Sequence, residues 1–276
     1  MVKTVMTIAG SDSGGGAGIQ ADLKTFQELG VFGTSAITAL TAQNSTGVRS
    51  IHPVPTEEVT HQIEAVADDL APIAVKTGML FHAPIIDAVM KSVNRYQWPH
   101  LVIDPVMVAT SGARLLEDSA ILRMKEGLIP LATIITPNIP EAEVLTGRSL
   151  KTKEARLDAL HELAALGAKS VLLKGGHEEG ADTVQDLFFD GTDIHTLTVP
   201  KIETANTHGT GCTYASAITA YLALGLPLYD AVIEAKRYIH TAIMHGFQVG
   251  SGSGPVDHAA HRTHTGEDVK IGVMNR

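Results

Sequence analysis

The residues around Cys212 carry the clearest chemical pattern in the sequence. Gly209, Thr210 and Gly211 come just before Cys212, and the run of mostly small residues from 213 to 224 is typical of a buried helix. Two glycines allow backbone N–H groups to turn toward a ligand at a helix start, where the helix dipole favours an anion such as phosphate. We therefore predict that residues 209–212 form a catalytic anion-binding loop.

Cys212 is the only cysteine among the 276 residues. Because a helix N-terminus lowers the pKa of a thiol, Cys212 is a candidate thiolate or general base for a group bound at this loop. The alternative is a small buried residue at a tight turn, since cysteine is among the most buried residue types. A single cysteine cannot form a disulfide within the chain, and we expect a cytoplasmic protein.

A second glycine-rich segment, residues 10–18, follows the first predicted strand. Its spacing differs from the dinucleotide-binding fingerprint, and the sequence has no Gly-Lys dipeptide for a phosphate-binding P-loop. We predict that this backbone packs against a small flat ligand, with a merely flexible turn as the alternative. Asp22, one helical turn into the following helix, either faces that ligand or caps exposed N–H groups.

Polar side chains also follow three further predicted strands. Asp104 ends one strand, Asn138 and Glu141 follow the next, and Lys174 ends a third and precedes two glycines. The oxygen atoms of the first three suit Mg²⁺, bound directly or through waters, whereas helix capping by Asn138 and Glu141 is the alternative. Lys174 is a candidate phosphate ligand, with a surface lysine as its alternative.

These residues meet only if the chain folds so that strand ends converge. Short β-branched runs alternate with longer amphipathic stretches, which predicts an α/β fold of three layers, a mostly parallel central sheet flanked by helices. An Asp-Gly turn at 190–191 predicts a hairpin near one edge, and Thr56 and Thr152 lie near the N-caps of two helices. Ligands of such sheets bind beyond the carboxyl ends of the strands. The predicted strands are 4–9, 35–40, 73–77, 101–104, 133–136, 170–174, 184–189 and 194–199, and the predicted helices include 57–70, 154–166, 213–224 and 228–245.

The composition narrows the class of protein. With 44% hydrophobic residues and no linker tract, residues 1–276 favour one domain, with an irregular tail from about residue 250. The formal net charge of −9 argues against nucleic acid or an anionic membrane as a partner. No apolar run is long enough to span a bilayer, and the N-terminus does not match a cleavable signal. Three histidines in the tail, His258, His261 and His264, lack the cysteine or carboxylate that would complete a tetrahedral metal site.

Seven motifs, in order along the chain, resemble the hydroxymethylpyrimidine/phosphomethylpyrimidine kinases of thiamine biosynthesis, a family of the ribokinase-like superfamily. They lie at 7–26, 41–44, 76–80, 104–107, 136–141, 174–177 and 207–213. The resemblance implies a ribokinase-like fold, MgATP as the phosphoryl donor and a homodimer. Thr110 stands where many members carry a lysine, and the resemblance does not extend to residues 259–276.

The resemblance also implies roles for individual residues. Gln43 is expected to hydrogen-bond the aminopyrimidine edge, and Cys212 stands where ribokinase relatives carry an aspartate base. The other expected substrate-binding residues are Gly10, Ala17, Asp22, Met79 and Val106. The expected ATP-binding residues are Lys174, Asn138, Thr207 and His208, with Asp104 and Glu141 facing the metal.

The sequence thus predicts an ATP-dependent kinase that phosphorylates 4-amino-5-hydroxymethyl-2-methylpyrimidine and then converts the monophosphate to the diphosphate. Lys174 and Mg²⁺ would neutralise the nucleotide, the amides of 209–212 would receive the phosphoryl group, and Cys212 would accept the alcohol proton. A pyridoxal kinase of the same fold is one alternative, disfavoured by Gln43 in its Gln-Asn context. A catalytically silent pyrimidine- or nucleotide-binding protein is another, and a thiol hydrolase that pairs Cys212 with His208 is a third.

Overall fold

The computed structural model describes residues 2–107, 116–176 and 182–274 of the chain. Its strands are β1 (Thr4–Asp12), β2 (Phe32–Asn44), β3 (Gly47–Pro53), β4 (Ala74–Thr77), β5 (His100–Ile103), β6 (Ile134–Ile135), β7 (Val171–Leu173), β8 (Thr183–Phe189), β9 (Ile194–Pro200) and β10 (Lys270–Met274). Its α-helices are α1 (Gly18–Glu28), α2 (Thr56–Leu70), α3 (Ala83–Tyr96), α4 (Asp118–Arg123), α5 (Ile139–Thr146), α6 (Lys153–Ala165), α7 (Thr210–Ala223) and α8 (Leu228–Met244). Short π and 3-10 segments follow α4, and a 3-10 turn covers Ala260–Arg262.

The strands form one ten-stranded sheet in the order β10-β9-β8-β7-β6-β5-β4-β1-β2-β3. Strands β2, β1, β4, β5, β6 and β7 are parallel to one another, and the pairings toward both edges are antiparallel. The mostly parallel sheet, the eight predicted strands and the hairpin β8–β9 are therefore confirmed, with ends that differ by a few residues.

The helices lie on both faces because the central strands are buried on both sides. In β5, Leu101 and Ile103 join the core formed with α2 to α6, whereas Val102 between them joins the core formed with α7 and α8. This alternation follows from the period of two in a strand. The three-layer architecture expected from the sequence is thus present. None of the helices in the described ranges is long and apolar enough to cross a membrane.

The order of the strands reverses between β1 and β4. The chain runs from β1 to β2 on one side and then crosses to β4 on the other, which leaves a crevice at the carboxyl ends of β1 and β4. Such a switch point is where ligands bind in open α/β sheets. Helix α7 packs across β1, β4 and β5, so its N-terminus lies at this crevice.

Two edge strands were missing from the sequence-based prediction, and one of them corrects the expected irregular tail. Residues 270–274 form β10, which pairs with β9, and the Arg262 guanidinium makes two hydrogen bonds, of 2.5 and 2.7 Å, to Glu28 on α1. Strand β3 forms the opposite edge.

Of the two expected N-caps, Thr152 caps α6 by accepting from the Ala155 N–H, whereas Thr56 is the first residue of α2 and follows Pro55.

Candidate active site

A cavity of about 730 Å³ opens at the carboxyl ends of the parallel strands. The loops after β1, β4, β5, β6 and β7 surround it together with the start of α7. Every expected site residue except Asp22 lines this cavity. His177, the last residue of the motif at 174–177, lies outside the described residues, and so does Thr110, which follows the motif at 104–107.

The start of α7 is built to receive an anion. Gly209 is the N-cap residue, with a φ of 83° that favours glycine, and its carbonyl accepts the first helical hydrogen bond from Thr213 at 2.9 Å. The N–H of Thr210 bonds to the carbonyl of Thr207 at 3.2 Å. Among the described residues, the N–H groups of Gly211 and Cys212 have no such backbone acceptor, which leaves them available to a ligand in the cavity.

The glycine-rich loop after β1 is ordered by Asp12, a residue that the sequence analysis did not single out. Its buried carboxylate accepts hydrogen bonds from the N–H groups of Gly14, Gly16 and Ala17 at 2.8 to 3.0 Å. Burial raises the pKa of Asp12, but the hydrogen bonds from His208, Ala17 and Gly14 outweigh burial and lower it overall. An aspartate immediately before a glycine-rich segment is a turn signal that would have identified this role.

His208 joins the glycine-rich loop to the anion-binding loop. Its Nε2 atom lies 2.9 Å from Asp12 Oδ2 and 3.4 Å from Gln43 Nε2. Gly209, the next residue, packs so closely on the backbone of Gly16 that any side chain there would overlap the Gly16 carbonyl. The structure therefore places His208 between the two loops, against Asp12, where it also lines the cavity.

Gln43 lies at the end of the cavity that the sequence assigns to the pyrimidine. Its side-chain oxygen accepts from the Thr41 hydroxyl at 3.3 Å, and its backbone N–H donates to the Ser13 hydroxyl at 2.8 Å. Gly10 and Met79 also line the cavity, and a Cβ at Gly10 would displace the terminal methyl group of Met79. The amide group of Gln43 is thus held beside a narrow apolar wall that suits a flat ring.

Lys174, Asp104 and Glu141 form a charged cluster at the other end of the anion-binding loop. The Lys174 ammonium lies 2.8 Å from Asp104 Oδ1, and both side chains are almost fully buried. Burial lowers the pKa of Lys174, but the charges of Asp104 and Glu141 raise it above its ordinary value, so the ammonium keeps its charge. A Cβ at Gly211 would lie 3.2 Å from this ammonium, so Lys174 contacts the first turn of α7.

Asn138 and Glu141 make the helix cap that the sequence offered as an alternative to metal binding. Asn138 Oδ1 accepts from the Glu141 N–H, and Glu141 Oε2 accepts from the Asn138 N–H, both at 2.8 Å. Burial raises the pKa of Glu141 to about 7, opposed by Lys174 and reinforced by Asp104. A cation near the two carboxylates would relieve this repulsion.

Burial reverses the expected electrostatics of Cys212. The sequence analysis expected the helix N-terminus to lower the pKa of the thiol, but burial raises it to about 11. The charge of Lys76 and a hydrogen bond from the Gly18 N–H lower it in part, whereas Asp22 and Asp104 raise it further. Cys212 is therefore a thiol at neutral pH in the ligand-free protein.

Asp22 does not line the cavity, contrary to the expected substrate contact. Its side chain is fully buried in an ion pair with Lys76, whose ammonium lies 2.9 Å from both carboxylate oxygens. The hydroxyl groups of Thr7 and Ser216 also donate to it, at 2.6 and 2.7 Å. Asp22 thus lies in the protein interior behind the cavity wall, where its hydrogen bonds hold the side chains of Thr7, Lys76 and Ser216 together.

A third buried ion pair, between Lys236 and Asp186, holds the loop after β7. Asp186 accepts from the Gly175 N–H at 2.8 Å, from the Lys236 ammonium at 2.6 Å and from the Tyr214 hydroxyl at 3.2 Å. Gly175 follows Lys174 directly, so this network fixes the backbone that carries the lysine. The sequence analysis missed it because its members come from β8, α7 and α8.

The tail histidines have structural partners. His258 Nε2 lies 3.0 Å from the Thr213 hydroxyl, and burial lowers the pKa of His258 to about 4. The His264 ring stacks on His245 at a centroid distance of 3.6 Å. Within the described ranges, no three histidine, cysteine or acidic side chains are arranged to hold a metal ion.

An open α/β sheet, a helix N-terminus free to bind an anion and a charged lysine beside it are the features of an enzyme that transfers phosphoryl groups. The chain belongs to the phosphomethylpyrimidine kinase family, whose model its sequence matches over residues 12–257. The family and the fold class expected from the sequence are confirmed.

Individual relatives agree with this assignment. The chain is 48% identical over 261 residues to the hydroxymethylpyrimidine/phosphomethylpyrimidine kinase of Bacillus subtilis. The match covers 95% of this chain and 96% of the relative. The chain is 52% identical over 255 residues to the thiamine biosynthesis bifunctional protein ThiED of Geobacter sulfurreducens, a match that covers 92% of this chain and 52% of that longer protein. The structure of pyridoxal kinase from Staphylococcus aureus in complex with AMP-PCP and pyridoxal is similar with a TM-score of 0.92 at 37% identity, covering 99% of this chain and 100% of that one.

Proposed function

We propose that this protein uses ATP to phosphorylate 4-amino-5-hydroxymethyl-2-methylpyrimidine and then its monophosphate, in thiamine biosynthesis. The observation that carries the proposal is that Gln43, Lys174 and the anion-binding start of α7 line one cavity, with Gln43 beside His208 just before the helix and Lys174 beside Gly211 in its first turn. The names of the relatives from Bacillus subtilis and Geobacter sulfurreducens support the same substrate class. We also propose that the protein is cytoplasmic and forms a homodimer.

The reaction follows from where these groups lie. Lys174 faces the phosphates of ATP, and the N–H groups of Gly211 and Cys212 hold the phosphoryl group as charge spreads over its oxygens. Once its own proton has passed to water, Cys212 accepts, as a thiolate, the proton of the hydroxymethyl group while that oxygen attacks phosphorus and the bond to ADP breaks. The carboxylate of Asp104 becomes free to face a cation when Lys174 turns to the phosphates.

The residues near Lys174 fit a magnesium ion that arrives with the nucleotide. Mg²⁺ commonly keeps several waters and uses one or two carboxylates together with substrate phosphates, and Asp104 and Glu141 are two carboxylates on the cavity wall. Burial and the charge of Asp104 raise the pKa of Glu141, and a cation bound beside the two carboxylates would lower it. Bound in this place, Mg²⁺ would neutralise charge on the phosphates.

A coupled assay of ATP consumption tests the proposed function. We expect turnover with hydroxymethylpyrimidine and with its monophosphate, and little or none with a sugar. Pyridoxal belongs in the same assay, because the similar Staphylococcus aureus structure holds pyridoxal. Turnover of pyridoxal alone would replace the proposed substrate by the pyridoxal kinase alternative, and ATP binding without turnover of any substrate would favour a silent binding protein.

Replacing Gln43 by alanine is expected to weaken binding of the pyrimidine by roughly 5- to 150-fold, because unpaired polar atoms of the buried ring cost about 1 to 3 kcal/mol. ATP affinity should change little, since Gln43 lies at the opposite end of the cavity from Lys174. Calorimetry measures both affinities. Asn44→Ala is the matched control, because Asn44 is the neighbouring amide, does not line the cavity and bonds to Thr46 instead. Equal pyrimidine affinities in the two variants would remove Gln43 from the site.

Glu141→Gln is expected to raise the Mg²⁺ concentration needed for half-maximal rate by about 10-fold, the usual order for loss of a group that supports a bound metal. Glutamine keeps the cap of α5, because glutamine serves in capping boxes as glutamate does. The control is Glu143→Gln on the same helix, whose carboxylate bonds to the Leu150 N–H away from the cavity. If titration with Mg²⁺ gives the same midpoint for both variants, Glu141 acts only as a helix cap.

A further inference from the structure

The ion pair of Lys76 and Asp22 is buried at the switch point of the sheet. Lys76 is on β4 and Asp22 on α1, and neither side chain is exposed at all. Replacing a buried ion pair by apolar residues of similar volume often leaves a protein as stable or more stable. Fold stability alone therefore does not explain a lysine and an aspartate at this position, and the neighbours of the pair suggest what they do.

The first neighbour is Cys212 on α7. Ser216, which donates to Asp22, is four residues after Cys212, and residues four apart lie one above the other on the same face of a helix. Cys212 is therefore on the face of α7 that packs over Asp22 and Lys76, one turn nearer the cavity. The charge of Lys76 is also the strongest influence that favours the thiolate of Cys212.

The second neighbour is the start of α1. The backbone N–H of Gly18, the first residue of α1, lies close enough to the sulfur of Cys212 to lower the pKa of the thiol. Gly18 has a φ of 56°, and a side chain there would overlap the carbonyl of Gly10, so only glycine is tolerated at this position. Gly18, Lys76 and Cys212 line the same cavity.

Lys76 is free to act on that sulfur. Across the described part of the chain, its two hydrogen bonds both go to Asp22, and an ammonium group has three donors. Burial lowers the pKa of Lys76, but the charges of Asp22 and Asp104 and the hydrogen bond to Asp22 raise it overall, so the ammonium is charged at neutral pH. Asp22 thereby fixes a positive charge in place, beneath the start of α7.

We infer that Lys76 is a positioning residue of phosphoryl transfer, held by Asp22 so that its ammonium faces the sulfur of Cys212 and stabilises the thiolate that takes the substrate proton. Lys76 itself exchanges no proton. The hydroxymethyl proton moves to sulfur, the alcohol oxygen bonds to phosphorus, ADP leaves, and the thiol then returns the proton to water. The role of Lys76 in proton transfer rests on the proposed function. The effect of Lys76 on the thiolate of Cys212 does not, because it exists whether or not the protein is a kinase.

The charges of four groups act on the sulfur of Cys212. They are Lys76 on β4, Asp22 on α1, Asp104 after β5 and Lys174 after β7. Asp104 and Lys174 also face the nucleotide, so their effect changes when ATP binds. Lys76 and Asp22 are fully buried. Substitutions at these two positions therefore test the charges near the sulfur that do not change when ATP binds.

Alkylation of the single cysteine by iodoacetamide, followed by mass spectrometry across pH, reads the thiolate directly without turnover. Lys76→Met is expected to slow alkylation at a given pH by about 10-fold or more, because a charge this close shifts the pKa of a neighbour by at least about one unit. Asp22→Asn is expected to speed alkylation, because asparagine removes an anion and keeps an oxygen that can accept from the Lys76 ammonium and hold it in place. A purely structural pair would not move the rate in opposite directions in the two variants.

Controls keep the test decisive. Lys91→Met removes an exposed ammonium on α3, a helix that does not line the cavity, and should leave alkylation unchanged. If Lys76→Met does not fold, as judged by circular dichroism, the double variant Asp22→Asn with Lys76→Met removes both charges and should still alkylate more slowly than Asp22→Asn alone.

The rate of turnover against pH completes the test. In Lys76→Met the acid limb of the kcat profile should move to higher pH together with the alkylation profile. Identical alkylation profiles in folded wild type and Lys76→Met would overturn the inference, and so would an alkylation shift with an unmoved kcat profile. Absence of turnover by the wild type on every substrate would instead contradict the proposed function, because the alkylation result does not depend on it.

Discussion

Replacing Cys212 by alanine is expected to lower kcat by about 10²- to 10⁴-fold, the usual cost of removing a general base. The affinity for ATP should change little, because Lys174 and the N–H groups of the loop remain. With a pKa of about 11, only roughly one thiol in ten thousand is ionised at pH 7 in the ligand-free protein, so the thiolate has to be supported as the reaction proceeds. Single-turnover kinetics measures the chemical step directly.

Two further variants define what Cys212 does. Cys212→Asp should retain more activity than Cys212→Ala, because a carboxylate can accept a proton where it fits the space. Cys212→Ser keeps the size and polarity of the side chain but is a much weaker acid, and should resemble the alanine variant. Wild-type rates in Cys212→Ala would leave Cys212 as a packing residue. A loss of much less than 10²-fold would mean that the loose transition state needs little base and that the amides dominate.

The sequence was sufficient to predict the sheet and the location of the site, because both depend on local patterns. Buried parallel strands are short β-branched runs, and their carboxyl ends meet at one edge of a sheet. Residues as distant as Gly10, Asp104 and Cys212 could therefore be assigned to one place, and the structure brings them to one cavity. Strands β3 and β10 escaped prediction because exposed edge strands lack a continuous apolar run, as in β10, where Ile271 and Val273 are exposed.

The electrostatics of the site could not be predicted, because they depend on partners far along the chain. The pKa of Cys212 was expected to fall from the dipole of its own helix, but burial by other elements outweighs the dipole. Asp22 was expected at the ligand, but Lys76, 54 positions away, holds it below the cavity. The contact of His208 with Asp12, 196 positions away, likewise could not be predicted from either local pattern.

Replacing Gly209 by alanine is expected to lower kcat/KM by about 10²-fold or more. Gly209 has a φ of 83°, and a Cβ there would overlap the carbonyl oxygen of Gly16, so one of the two loops has to move. The displaced groups are the N–H groups at the start of α7 and the backbone next to Ala17, which line the two halves of the cavity. A displacement of about 1 Å at reacting groups costs on the order of 10²-fold in rate. Steady-state kinetics with both substrates varied measures the loss.

Gly225→Ala separates the effect of this close contact from that of backbone strain. Gly225 follows the other end of the same helix α7, also has a positive φ of 96°, and has nothing within 4 Å of an added Cβ. Alanine at both positions adopts a left-handed backbone at a cost of about 1 to 2 kcal/mol, so both variants should lose a similar amount of thermal stability from strain. Only Gly209→Ala also separates the glycine-rich loop from the anion-binding loop. We therefore expect Gly225→Ala to keep nearly wild-type kcat/KM in its folded state. If the two variants lose activity equally, the contact between Gly209 and Gly16 does not position the reacting groups, and the anion-binding loop acts without the support of the glycine-rich loop.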